Sequence, residues 1–329
     1  MCSSDLWANA NITFQGPGTI IYNSILTNEN CNVIDWEVID QATAEICSTN
    51  NRANVLRVNN GVMRLNRQNA FWSLRSVPEL TVGMGWPPDV HGTLDMNGYD
   101  LTVSRLTDYH DSREIGSARE GSASIVSDTP ATLTVDFETF YHYANNENDV
   151  WTQGAEGGSR FAHHKSMIRG PITLVKNGTG KLLIGRQFDM SGDIVLNDGT
   201  LVLTAAGDEI FHEYGNARLN NPVLFEAGDG GFGPGATNIF VNGGTLAVRN
   251  DNALSRAADV TLSPGAIIDM ADGVNATVRF LHEGRKLRPK GVYGSSSGYG
   301  ARTVDDVYFT GPGTLTVLEG TQPSVVIVR

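Results

Sequence analysis

Two acidic pairs in this chain have the residue types that hydrolysis of a glycosidic bond requires. Asp136 and Glu138 stand two apart in a strand-like run, and Asp305 and Asp306 are adjacent. Residues two apart on a strand share a face, so the first pair would present both carboxylates on one side. A glycosidase needs two carboxyl groups about 5–10 Å apart, one of them with a raised pKa. The Gly-His-Gly and Asn-x-Asp signatures of pectin hydrolases are absent, and no Ser/His/Asp set is placed by motif. Acidic residues that flank strands ordinarily cap turns or face water. These four are therefore the catalytic candidates of a second reading, a carbohydrate-active hydrolase or lyase, and the first reading is non-catalytic.

A different chemistry is carried by Tyr141, His142, Tyr143 and Trp151, which stand among Asn145, Asn146, Glu147, Asn148 and Asp149. Aromatic rings can cover the C–H face of a sugar while amides and carboxylates read its hydroxyls. The competing role is to pack a long loop onto a scaffold. Adjacent His163 and His164 would face opposite sides of a strand, and no HExxH or spaced carboxylate accompanies them, so no metal site is expected. Lys181 follows Gly178-Thr179-Gly180 without the Ser/Thr and glycine spacing of a phosphate loop, and reads as a solvated charge. Gly230-Gly231-Phe232-Gly233-Pro234-Gly235 is similar to a calcium-binding nonapeptide turn, but Gly235 stands where an Asp ligand belongs. No cofactor is implied.

The elements that would hold these residues are strands. Short apolar runs separated by Asn/Asp-Gly turns and followed by Thr-Leu recur at 92–103, 174–184, 195–203 and 241–248. Asn, Asp and Gly tolerate positive φ, while Val, Ile, Leu and Thr fill a pleated surface. Asn177, Asn197 and Asn242 accordingly read as turn residues in left-handed conformations. Gly178 and Gly199 are 21 residues apart, as are Gly244 and Gly265. That period suits a solenoid whose turns stack and bury their apolar edges. A closed barrel or sandwich, whose hairpins also use Asn-Gly turns, is the structural competitor. Val38 to Ile46 is expected to form one short helix near the N-terminus, and polar insertions are expected near 107–122, 140–169, 205–236 and 283–307.

Composition narrows the partners. The 329 residues carry a formal net charge of −12, 37 glycines and only 18% charged residues, the profile of a folded and glycine-punctuated protein. Arg285-Lys286-Leu287-Arg288-Pro289-Lys290 is the largest basic cluster, too little for phosphate neutralisation along a nucleic acid. No apolar run reaches the ~18–20 residues of a membrane helix, so no integral membrane segment is expected in this chain. An acidic, lysine-poor surface suits a secreted or cell-surface protein. The first residues show no secretion signal. Met1 to Leu6 are read as a non-native extension, because Cys-Ser-Ser-Asp-Leu looks like a translated sequencing adapter. Residues 7–329 then form one domain, expected to be cut at one or both ends because it starts and stops in strand-like sequence. Cys31 and Cys47 would close a loop of about 16 residues worth ~3 kcal/mol if oxidised, or act as two buried thiols. Both alternatives stay open.

Residues 170–203 follow a pattern of a Lys-x-Gly-x-Gly turn, an aromatic-x-x-x-Gly corner and x-x-Gly-Thr-Leu. Residues 92–106 look like the companion rung, and Phe309-Thr310-Gly311-Pro312-Gly313-Thr314-Leu315-Thr316-Val317 looks like a terminal one. In these stretches the chain resembles the autotransporter-associated β-strand repeat of bacterial surface proteins. The resemblance implies a right-handed parallel β-helix, exported to the cell surface or beyond as a stalk or adhesive body, with no catalytic residues to carry over. Its partners would be surface glycans or molecules of a host or neighbouring cell. Nothing after Val317 supplies the membrane barrel in which autotransporters end.

Overall fold

In the computed structural model, the turn grammar resolves into strands that stack. The structure describes residues 10–24, 34–72, 78–82, 92–107, 124–136, 161–164, 167–207, 209–212, 223–226 and 229–321. Every regular element among them is a β-strand, and none is a helix long and apolar enough to cross a membrane.

The chain begins by alternating between two sheets: Ala10–Phe14 then Gly18–Tyr22, Ile34–Val38 then Ala42–Ile46, Val55–Val58 then Gly61–Leu65. The first strand of each couple belongs to a five-stranded sheet that runs on through Glu79–Val82 and Arg105–Thr107. The second belongs to a seven-stranded sheet that runs on through Gly92–Asp95, Ser124–Val126, Met167–Gly170 and Asp189–Met190. Later passes build an eight-stranded sheet from Leu101–Val103 to Lys286–Leu287 and a six-stranded sheet from Phe161–His164 to Phe309–Thr310. Among the described residues up to Phe280–Glu283, each return to one of these four sheets adds the next strand in parallel, so successive passes lie one on another.

In-register parallel pairing puts like on like. Ala44, Met63, Leu94, Ile125 and Ile168 form one inward column, and all are fully buried. Leu133, Leu174, Ile194, Ile239, Val260 and Leu281 form another, none more than 1% exposed. With a side-chain period of two, alternate residues point inward on every pass, and each buried Leu or Ile contributes roughly 2 kcal/mol. The step between stacked partners is 20 residues for Asn177 and Asn197, 31 for Arg64 and Asp95, and 45 for Asn197 and Asn242. Insertions therefore change the length of a pass without disturbing the register on either side. The longest of these steps holds an antiparallel hairpin, Glu209–His212 with Val223–Glu226.

Two expectations are corrected. The segment from Val38 to Ile46 is not helical. It ends one strand at Val38, turns through Asp40 and Gln41 at φ 53° and 65°, and starts another at Ala42. Ala42, Ala44 and Ile46 are buried while Thr43 and Glu45 are partly exposed, a period of two that a helix cannot supply. Nor do Asn177, Asn197 and Asn242 adopt left-handed conformations. Positive φ falls instead on Gly178, Gly199 and Gly244, at 69°, 72° and 69°. The asparagines precede those glycines and have a different task.

The two ends of the stack differ. At the first turns the interior is filled by Trp36, which is fully buried with the rings of Phe14, Tyr22 and Phe71 at 5.9, 4.9 and 5.1 Å from its own. At the last turns the parallel rule is broken: Lys286–Leu287 pairs antiparallel with Phe280–Glu283, and Gly291–Gly294 pairs antiparallel with Thr314–Val317.

Candidate functional surface

Asp136 lies far from Asp305 and Asp306. Asp136 ends the strand Ala131–Asp136, exposed and opposite Asn177. Glu138, Tyr141, His142, Tyr143 and Trp151 lie outside the described residues. Asp305 accepts a hydrogen bond from Arg288 Nη2 at 2.8 Å, while Arg288 Nη1 reaches Glu283 at 3.0 Å. From Ala131–Asp136 to Phe280–Glu283 the eight-stranded sheet counts five inter-strand steps, or ~24 Å at the usual ~4.8 Å spacing. That exceeds the span of a two-carboxylate glycosidase site.

Asp305 and Asp306 also have structural partners. Asp305 Oδ1 accepts from the Val307 N–H at 3.1 Å, and Asp306 Oδ1 accepts from the Ser296 N–H at 2.6 Å. The side chain of Asp305 is 11% exposed beside its arginine. Arg288 in turn lies over the Tyr293 ring at 5.3 Å. The pair therefore fixes the loop that precedes the last strands.

Outward side chains bond to their counterparts one pass away. Asn197 Nδ2 donates to Asn177 Oδ1 at 2.7 Å and Asn242 Nδ2 donates to Asn197 Oδ1 at 2.8 Å, a ladder at one corner of the stack. Asn238 donates to Asp193 at 2.8 Å, Arg279 grips Asp259 through two bonds of 2.8 Å, and Arg249 meets Asp269 at 2.6 Å. Arg64 lies between Glu45 and Asp95 at 3.4 and 2.8 Å. Exposed pairs of this kind contribute only about 0–1 kcal/mol each. Their effect is to hold outer faces in register and to spend polar groups on one another.

Lys176, the lysine of the Lys-x-Gly-x-Gly turn, is fully buried. It follows Ile172 and Leu174 at spacings of two, which puts it on their inward face; that parity was the signal available in the sequence. Its ammonium donates to the carbonyls of Asn177, of Gly178 at 2.6 Å and of Asp198 at 3.4 Å, tying two stacked turns together. Burial pushes its pKa down to about 8, opposed by the nearby carboxylates of Asp198 and Asp136. The unfolded chain, at an ordinary 10.5, binds a proton that the folded chain has released between those values. Stability therefore rises with pH across that window, and the penalty is fully present below about pH 8. The urea midpoint of the wild type relative to Lys176→Met is expected to increase from about pH 7 to about pH 9.5. A difference that stays flat would mean that the amine is not held in a desolvated site.

The glycine run at 230–235 packs against backbone. Gly231 accepts from the Phe188 N–H at 2.9 Å and donates to Arg186 at 3.2 Å, and Phe232 is fully buried. Asn250, also buried, donates to the carbonyls of Thr204 at 2.6 Å and Gly230 at 2.8 Å. These residues join three passes of the chain. Among the described residues no group of three or more His, Cys, Asp or Glu side chains is placed to hold a metal ion. Cys47 is a half-buried free thiol whose Sγ accepts from Asn66 Nδ2 at 3.4 Å, and Cys31 lies outside the described residues. Lys181 is half-buried on the strand Lys181–Ile184.

The expected insertions contain elements of their own. Phe161–His164 and Met167–Gly170 are strands of the stack, the hairpin lies within 205–236, and the antiparallel closing strands lie within 283–307.

The architecture is thus that of an all-β protein of stacked parallel strands with polar side-chain ladders along its faces. No family model matches the chain, and no solved structure does. The adhesin BmaC autotransporter of Brucella suis biovar 1 (strain 1330) is 28% identical over 189 residues, covering 52% of this chain. The match covers 5% of that adhesin, so the chain spans about a twentieth of its length.

Proposed function

We propose that the chain is a passenger-type segment of an exported bacterial surface protein, a right-handed parallel β-helix that serves as a non-catalytic stalk and displays adhesive loops outside the cell. The observation that carries this reading is the series of parallel pairings from Leu101–Val103 to Phe280–Glu283, with outward asparagines bonded to one another along the stack. A scaffold of that kind leaves recognition to inserted loops. The similarity over half the chain to an autotransporter adhesin supports the same reading. The recognition loop would be the segment after Asp136, with Tyr141, His142, Tyr143 and Trp151 stacking on surface glycans of a host or neighbouring cell.

The test is to fuse the chain to a passenger-free translocator barrel, display it on cells and measure adhesion to glycan-coated surfaces. Adhesion is expected to exceed that of the bare scaffold, and to fall to the scaffold's level when residues 140–160 are replaced by a Gly-Ser linker. Adhesion indifferent to that replacement would remove the loop from the account. Release of soluble sugar from a polysaccharide panel by the purified chain would instead make it an enzyme.

A further inference from the structure

Asparagine followed by glycine occurs four times in the chain, at Asn60-Gly61, Asn97-Gly98, Asn177-Gly178 and Asn242-Gly243. In such a pair the side-chain amide lies next to a backbone nitrogen that no Cβ shields, so the two can close a ring. At three of the sites that nitrogen is held. The Gly98 N–H donates to Ser127 Oγ at 3.0 Å, the Gly243 N–H donates to the Leu196 carbonyl at 3.4 Å, and Gly61 opens a strand paired with Ala42 on one side and Gly92 on the other. The Gly178 N–H has no acceptor among the described residues.

The groups around Asn177 act on the same bond-forming step. The Lys176 ammonium donates to the Asn177 backbone carbonyl and, at 2.6 Å, to that of Gly178. A cation on the Asn177 carbonyl draws charge out of the Asn177–Gly178 peptide and makes its N–H easier to deprotonate. With a pKa of about 8 the amine is charged at neutral pH. Asn197 Nδ2 donates to Asn177 Oδ1 at 2.7 Å, the atom on which negative charge develops when Cγ is attacked. Asn177 Nδ2, the nitrogen that would leave, bonds to nothing among the described residues. The corresponding nitrogens are engaged at Asn97, by the Leu65 carbonyl and Asn66 Oδ1, and at Asn242, by Asn197 Oδ1.

We propose that Asn177 is a self-modification site, its side-chain amide being lost through a cyclic imide closed by the Gly178 nitrogen with the help of the Lys176 ammonium and the Asn197 amide. The Gly178 nitrogen gives its proton to solvent and bonds to Asn177 Cγ, while the carbonyl electron pair moves onto Oδ1. Collapse breaks the Cγ–Nδ2 bond, and the nitrogen departs as ammonia with a proton returned from solvent. One water then opens the imide at either carbonyl and leaves an aspartyl or isoaspartyl residue at position 177. No oxidant or reductant takes part. The stack tolerates the aspartyl product, because Asn177 only accepts in the asparagine ladder and a carboxylate still accepts from Asn197. The same change at Asn242 would set a carboxylate against Asn197 Oδ1. The modified corner gains one negative charge near Lys176, opposite its register partner Asp136. The inference does not depend on what the inserted loops bind.

Peptide mapping by mass spectrometry of the full chain held at neutral pH for weeks, with an isoaspartyl methyltransferase to mark that product, follows all four sites at once. In the folded wild type Asn177 is expected to convert at least about tenfold faster than Asn60, Asn97 or Asn242. In concentrated urea, where only the local sequence acts, that lead is expected to vanish. Lys176→Met and Asn197→Ala are each expected to slow conversion at Asn177 about tenfold and to leave Asn60 and Asn97 unchanged. Should the exchange of the buried lysine prevent folding, Asn197→Ala, at an exposed position, and the comparison with urea decide the matter. A folded chain in which Asn177 converts no faster than the other three, a lead that persists in urea, or a rate unchanged by either substitution in a folded chain would overturn the proposal.

Discussion

Trp36→Ala is expected to destabilise the first turns of the stack by roughly 3–5 kcal/mol. The indole fills the interior between Phe14, Tyr22 and Phe71, and its N–H donates to the Arg52 carbonyl at 2.9 Å. Those partners come from different strands of three successive passes, so one ring ties several elements together. Truncation leaves a cavity that neighbours held by in-register ladders cannot collapse to fill, and it leaves the carbonyl without its donor. In a stack each turn contacts chiefly its neighbours, so the loss should be local. Hydrogen exchange should accelerate over residues 10–72 and change little beyond about residue 167. Uniform acceleration along the chain, or a loss under about 1 kcal/mol, would contradict this account of the interior.

Gly233→Ala should cost about 3 kcal/mol or more. Two penalties meet there. The backbone sits at φ 75°, and a Cβ would stand 1.8 Å from the carbonyl oxygen of Phe188. The obstruction is main chain from the preceding pass, which can move only by breaking its own pairing. Gly207→Ala separates the two penalties, since Gly207 has φ 88° but nothing within 4 Å of an added Cβ. That substitution should cost only about 1 kcal/mol of conformational strain. Equal losses at the two positions, measured by urea unfolding, would show that close approach between passes is not what the glycine run provides.

The parts of this architecture legible from sequence were those written in turns. Asn177-Gly178 and Asn197-Asp198-Gly199 mark real corners, and the 20-residue step between their asparagines matches the repeat to within one residue. The grammar identifies where the chain bends but not what each side chain does at the bend. Glycine takes the positive φ, which leaves the asparagine amides to bond along the stack. Val38 to Ile46 was misread because Ala, Glu and Gln favour helices in isolation. The structure instead follows the alternation of Ala42, Ala44 and Ile46, which register with Gly61, Met63 and Leu65 rewards by burial. Local propensity is a weak prior against a column of in-register contacts. Asp305 and Asp306 were noticed for their charge, while their partners Arg288 and Ser296 lie 17 and 10 residues away. No spacing rule connects them until the closing strands fold back.

The bonds joining successive passes run along the direction in which the passes stack, and this decides how the molecule carries a load. Tension applied between its ends pulls on one ladder at a time instead of shearing all of them together. Each pass that lets go pays out about 20 residues, or ~70 Å of slack, and the pass holding the 45-residue step pays out more than twice as much. A stack built this way gives under force in discrete lengths, absorbing work at each release while the remaining turns keep their shape.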